Sequence, residues 1–336
     1  MKFFFIFIFI TFINYSLLIN ANTLDEIKNR GYLSCGVSEN QIGFSTINDE
    51  GKWIGFDVDI CRAVASAIFN DPEKVEFIVT TSSSRFPKLA GGEIDILSRT
   101  TTWTYSRDTN LGFDYSGISF FDGQTFMVRK SLDIKNINDL QDSTICLVSG
   151  SAKEFNTIEY FKKNNIRFNI LNVEIDQDAL ENYLADRCDA YTNFYSELSI
   201  LRVKIPNSSK HMILTDLISK EPLGPLVRHG DNEWNDIVRW TLNVLIIAEE
   251  YNIDSINIDT FLETDNAEIK RILGIIGNYG DMLELDNSWS YNIIKNVGNY
   301  KTIFDTNLGQ NTALKMSRGL NDLWKEGGIL YSPPFR

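Results

Sequence analysis

One pattern constrains the fold of this chain above all others: an alternation of strand and helix signals that runs once, breaks, and starts again. Residues 24–30 read as a short helix, 32–37 as a strand and 56–69 as a helix, with Asp57, Cys61, Val64, Ala65 and Ile68 on one face at helical spacing. Residues 75–79 then read as a strand, 85–90 as a short helix stopped by Gly91 and Gly92, and 94–97 as another strand. After a linking stretch the alternation returns. Residues 126–128 are extended, 134–140 a short helix, 144–148 a strand, 154–163 and 178–185 helices, 188–192 a strand, 196–203 a helix and 212–215 a strand. Pro222 and Pro225 discourage regular structure over 221–225. Asp231 is placed to cap a long helix over 234–250, and short helices follow, among them 266–273 and 317–325. Strands alternating with helices predict an α/β fold with parallel sheets. Two such sets predict two lobes with a cleft between them, the usual place for a small ligand.

Length and charge fit this reading and exclude others. The chain has 336 residues, roughly two average domains. With 43% hydrophobic and 23% charged residues it can bury a core. Lys and Arg total 32 against 45 Asp and Glu, a net charge of −13, so a broad face for nucleic acid is excluded. Two histidines and no Cys-x-x-Cys pair argue against a zinc site, and no other metal is expected. No dinucleotide, P-loop or nucleophile-elbow motif occurs, so no cofactor is expected; His211 and His229, with no nucleophile beside either, read as structural.

Lys2 is followed by an apolar run over 3–13, mixed residues to 20, and a small Ala21, so residues 1–22 read as a cleaved secretory signal. A membrane anchor is the alternative, but Asn14 and Ser16 interrupt the run and no Lys/Arg cluster follows it. Export makes Cys35, Cys61, Cys146 and Cys188 disulfide candidates. Three pairings are possible. Neighbours in sequence, Cys35 with Cys61 and Cys146 with Cys188, keep each bridge inside one lobe, and each would stabilise by ~3–4 kcal/mol. Four buried free thiols are the alternative.

Three segments carry chemistry suited to a ligand. Residues 98–107 follow a strand, cluster hydroxyls and end on Arg107, whose fork could hold a carboxylate by two parallel hydrogen bonds. Thr100 and Thr102 point the same way if the segment is extended. A solvated loop with Arg107 paired to Asp108 or Asp114 is the competing reading. At the turn into the helix over 154–163, the N–H groups of Ser151 and Ala152 suit an anion. Ser82 and Arg85 sit where a short helix begins, and Arg85 there could reach into the cleft or simply be solvated.

Several strings are longer and more specific. They are Gly55-Phe56-Asp57-Val58-Asp59, Arg99-Thr100-Thr101-Thr102-Trp103-Thr104 with Ser106-Arg107-Asp108, and Arg187-Cys188-Asp189-Ala190-Tyr191-Thr192. With residues 121–128, 218–231, 297–300 and 318–321 they resemble the general L-amino-acid-binding proteins of ABC importers, within the polar-amino-acid solute-binding proteins. The resemblance spans 24–336. It implies the type II two-lobed periplasmic-binding-protein fold, with lobe I over 23–121 plus 222–336, lobe II over 122–221, and the ligand cleft between. It also implies a periplasmic, non-enzymatic monomer that closes on a free amino acid and delivers it to an inner-membrane ABC permease. By the same resemblance Arg107 clamps the α-carboxylate, Thr102 and the backbone around Thr100 assist, Ser151 and Ala152 donate amides from the second lobe, and Ser82 and Arg85 approach the ligand side chain.

One position departs. Relatives carry an aspartate for the ligand α-ammonium just after the Ala-Tyr-Thr strand, and here Asn193-Phe194 stands there with Phe194 at the aspartate position. Asn193 offers a neutral acceptor and the Phe194 ring only a weak attraction for a cation. Asp176 is one carboxylate that could substitute. The departure leaves room for two alternatives on the same fold, a dehydratase-like periplasmic enzyme and a sensory receptor.

Overall fold

The computed structural model describes residues 22–81, 83–149 and 151–336. The expected signal, apart from Asn22, lies outside them, as does Ser82. Among the described residues no helix is long and apolar enough to cross a membrane.

Each half of the alternation builds its own five-stranded sheet. The first runs Val75–Val79, Leu33–Val37, Ile96–Leu97, Leu226–Arg228, Phe113–Tyr115 in spatial order. Its first three strands are parallel, and Leu226–Arg228 enters antiparallel from much later in the chain. The second runs Asn169–Val173, Thr144–Val148, Ala190–Phe194, Gln124–Arg129, His211–Ile213, with the same change from parallel to antiparallel at the fourth strand. Side chains alternate between faces along a strand. Phe126 and Val128 accordingly join one core with Phe161 and Leu214, while Met127 joins another with Tyr183, Tyr191 and Leu198. The second sheet is thus covered on both sides, as a parallel sheet with crossover helices must be.

Both predicted disulfides form. Cys35–Cys61 ties the second strand of the first sheet, Leu33–Val37, to helix Phe56–Phe69, and Cys146–Cys188 ties the matching strand of the second sheet to the entry of Ala190–Phe194. Cα–Cα separations of 6.3 and 5.7 Å suit the bond.

The chain crosses between lobes twice, and here the structure corrects the sequence. Residues 221–225 were expected to be irregular. Instead Glu221–Leu223 pairs antiparallel with Phe120–Asp122, Pro222 opposite Phe121. Proline is tolerated because this position is used as an acceptor: Pro222 O accepts from Trp103 N at 2.7 Å, on the side where Leu223 bridges Thr102. The expected helix over 317–325 is also absent. Two 3₁₀ turns, Gly319–Asn321 and Trp324–Glu326, replace it, and the left-handed φ of Gly319 (53°) breaks any helical start. The turns position Asn321, whose side-chain amide accepts from Phe121 N (2.7 Å) and donates to Phe121 O (3.0 Å). The C-terminal region therefore grips one crossing strand, while Trp289, Tyr300, Ile303 and Phe304 complete the first-lobe core.

Candidate functional site

Ligands of open α/β sheets bind beyond the carboxyl ends of the strands. A cavity of about 400 Å³ lies there. Ser38 to Gln41, Arg99, Thr100, Thr102 and Glu221 line it from one side, and Phe194, Glu197 and Lys204 from the other. Gln41 Nε2 spans it, donating to Glu197 Oε1 at 3.3 Å.

The loop after Ile96–Leu97 is held from below by Asp57, in the first turn of helix Phe56–Phe69. Its carboxylate accepts from Thr100 N (3.0 Å) and Ser98 Oγ (3.3 Å), and Thr100 is thereby fixed at a left-handed φ of 37°. The Thr100 hydroxyl donates to Gln41 Oε1 at 3.1 Å. Asp57 is buried, and burial pushes its carboxyl up to about 7 against the pull of the Thr100 N–H, the Ser98 hydroxyl and Arg99. An ordinary value of 3.8 in the unfolded chain means that the folded protein holds an extra proton between about pH 4 and about pH 7. Stability is therefore expected to fall as pH rises through that interval. Asp57→Asn should flatten the fall, as read by urea unfolding of both proteins across it; parallel curves would refute the assignment.

Three arginines gather behind this loop. Arg107 Nη1 donates to Thr102 O at 2.7 Å, where Tyr115 OH also donates at 2.7 Å, and Tyr115 stacks on Trp103 at 5.1 Å between ring centres. Arg85 reaches Thr101 Oγ1 at 3.4 Å and lies 4.6 Å above the Phe86 ring, with Arg107 5.9 Å from the same ring. Arg99 Nε donates to Thr80 O at 3.1 Å. Burial, then the charges of Arg99 and Arg107, push the Arg85 guanidinium down to about 10. Among the described residues none of the three makes an ion pair. Asp114 is taken by His229 Nδ1 at 2.8 Å, so the competing ion pair for Arg107 is not made. Clustered guanidiniums without a carboxylate are a receptor for an anion.

Of the residues singled out in the sequence, Thr100 and Thr102 line the cavity, and Arg107 stands one hydrogen bond behind Thr102. Arg85 joins the arginine cluster. Ser151 caps helix Ala152–Lys163, its hydroxyl accepting from Glu154 N at 3.1 Å and its own N–H donating to Val148 O at 3.2 Å. Ala152 opens that helix, where N–H groups lack an intrahelical acceptor. Neither lines the cavity. Asn193 is buried away from it: Oδ1 accepts from Phe194 N (2.9 Å) and Lys153 Nζ (3.5 Å), and Nδ2 donates to Tyr191 OH (3.3 Å). Asp176 is paired with Lys153 at 2.5 Å. Glu197, Gln41 and Glu221 were not foreseen. Glu197 was within reach of sequence reasoning, since it lies three residues beyond Phe194 at the start of a helix.

Residues 33–253 match the bacterial extracellular solute-binding proteins, family 3. This chain belongs to that family. Its relatives in the family include the general L-amino acid-binding periplasmic protein AapJ of Rhizobium johnstonii, 48% identical over 94% of both chains. The glutamate/glutamine/aspartate/asparagine-binding protein BztA of Rhodobacter capsulatus is 43% identical over 94% of both. Among solved structures, a periplasmic binding protein of an ABC transporter from Brucella ovis, with glutathione bound, is 46% identical with a TM-score of 0.81; the match covers 94% of this chain and all of that one. The two-lobed fold and the family expected from the sequence are both borne out.

Proposed function

We infer that this chain is a periplasmic solute-binding protein that captures free L-amino acids and delivers them to the permease of an ABC transporter. The observation that carries the reading is the charge pattern of the cleft. Arg99, which makes no ion pair among the described residues, lines one wall with Arg107 and Arg85 behind Thr102 and Thr101, and the carboxylate of Glu197 lines the other beside Lys204, so the cleft offers both signs of charge to a zwitterion. The relatives' names support the same solute class. The lobes are taken as 23–121 with 222–336, and 122–221, turning about the two crossing strands. A ligand held by both favours the closed state, because only there do both touch it. Arg107 acts as the carboxylate clamp, with Thr102, Thr100 and Arg85 beside it; Ser151 and Ala152 approach on closure. Specificity is broad or polar, and the bound solute is released unchanged rather than turned over.

A second solute follows from the glutathione bound to the Brucella ovis protein. Glutathione begins with a γ-linked glutamate that keeps its α-ammonium and α-carboxylate, so it presents the same zwitterionic head. Calorimetric titration of the mature protein with the twenty amino acids and glutathione is the test. At least one is expected to bind more tightly than millimolar and to be recovered intact. No binding by any of them would defeat the uptake reading, and chemical conversion of the bound ligand would make the protein an enzyme.

A further inference from the structure

We propose that Glu197 is the receptor for the ligand's α-ammonium group, in place of the carboxylate missing at Phe194; this rests on the amino-acid reading above. Phe194 ends its strand and is the N-cap of helix Tyr195–Lys204, so Glu197 is the third residue of that helix. Residues three apart at a helix start lie on one face. Both side chains line the cavity. A carboxylate moved from the cap to the third helical position thus still faces the ligand, one turn further along, while Phe194 gives the wall an apolar surface.

The other carboxylates near the cleft are occupied or, as Glu39 is, exposed to solvent, where a charge pair gains little. Asp122 is buried beneath Ser196, which donates to it from its hydroxyl and from its N–H (3.2 Å), and Gly123 N donates at 2.9 Å. Asp57 is spent on Thr100 and Ser98. Asp176 is held by Lys153 and by Tyr191 OH at 3.4 Å. Glu221 accepts from Ser219 Oγ at 3.3 Å and from Thr102. Glu39 is exposed. Glu197 is different: half-buried, it makes no ion pair among the described residues, and the neutral Gln41 amide approaches it at the loose distance of 3.3 Å. Burial raises its carboxyl above the usual range despite the opposing charges of Lys153, Lys204 and Arg99, none of which forms an ion pair with it among the described residues. A carboxylate desolvated without a direct cationic partner gains most when a cation arrives. An α-ammonium is such a cation, and it reaches Glu197 from a ligand whose carboxylate lies toward the arginines.

Glu197→Gln keeps the size and removes the charge. Titrated with the same panel, it is expected to bind every amino acid that the wild type binds about thirtyfold more weakly, or worse. L-lactate and L-2-hydroxyglutarate, which carry a hydroxyl in place of the ammonium, should bind the variant no worse than the wild type. Asp176→Asn should change amino-acid affinity by no more than about threefold. If Glu197→Gln unfolds, Glu197→Asp serves, since it keeps the charge on a shorter arm and should weaken amino acids selectively. Amino-acid affinity preserved in the variant, or lost in parallel with the hydroxy acids, would overturn the assignment. A wild type that binds no amino acid would instead reject the functional reading itself.

Discussion

Arg107→Ala is expected to weaken amino-acid binding about a hundredfold while leaving the fold nearly as stable. The guanidinium makes no ion pair among the described residues, and it hydrogen-bonds to Thr102 O and Tyr115. Little native structure therefore depends on its charge. A ligand carboxylate drawn into the closing cleft depends on it heavily, because truncating one partner of a desolvated charge pair typically costs about 2–5 kcal/mol. Arg107→Lys should recover only part of the loss, since an ammonium cannot make the two parallel bonds of the fork. Calorimetry on the tightest ligand reads the affinity, and thermal unfolding of the apo-protein reads the stability. An affinity within about threefold of wild type would show that Arg85 or Arg99 holds the carboxylate instead. Equal losses of affinity and stability would make Arg107 a structural residue.

The fold was largely legible because its signals are local. Helix Phe56–Phe69 and strands Val75–Val79 and Thr144–Val148 fall where the apolar spacing placed them. Asp231 caps the long helix through Trp234 N at 3.0 Å, as its side chain predicts. Local signals fail where tertiary partners decide. Glu221–Leu223 reads as a proline-broken loop and becomes a strand because Phe120–Asp122 lies beside it. The site divides the same way. Arg107 and Thr102 stand out in the sequence because a fixed charge follows a hydroxyl-rich strand end. Glu197 does not, since a glutamate in a helix usually marks a solvated face. Its meaning emerges only when Gln41, 156 positions away, closes the other side of the cleft. The missing aspartate at Phe194 raised the question three residues early, and helical periodicity would have located the answer.

The largest stability effect is expected far from the ligand, at Arg318. Its Nη2 donates to both carboxylate oxygens of Glu249 (2.9 and 3.0 Å), both side chains nearly excluded from solvent, at 10% and 5% exposure. The rings of Tyr300 and Phe304 flank it at 5.2 and 5.1 Å. Burial raises the Glu249 carboxyl even with Arg318 beside it. Arg318→Met would strand that carboxylate, a change that typically costs about 3–5 kcal/mol. Pairing the substitution with Glu249→Leu should return much of the loss, because no deeply buried charge is then left unpaired; Asp322, which Arg318 Nε also meets at 3.5 Å, is partly solvated. The loss from the single change should also shrink at acid pH, where the orphaned Glu249 takes up a proton. Urea unfolding of the wild type, both single variants and the double variant measures all of this, and additive losses would show that the pair is not coupled. The consequence reaches a crossing strand, for Arg318 Nε also donates to Asn321 O at 2.8 Å, and Asn321 in turn holds both backbone groups of Phe121 there. A buried ion pair is a poor source of net stability but a strict geometric constraint. Here that constraint fixes the anchor of a strand that crosses between the two sheets.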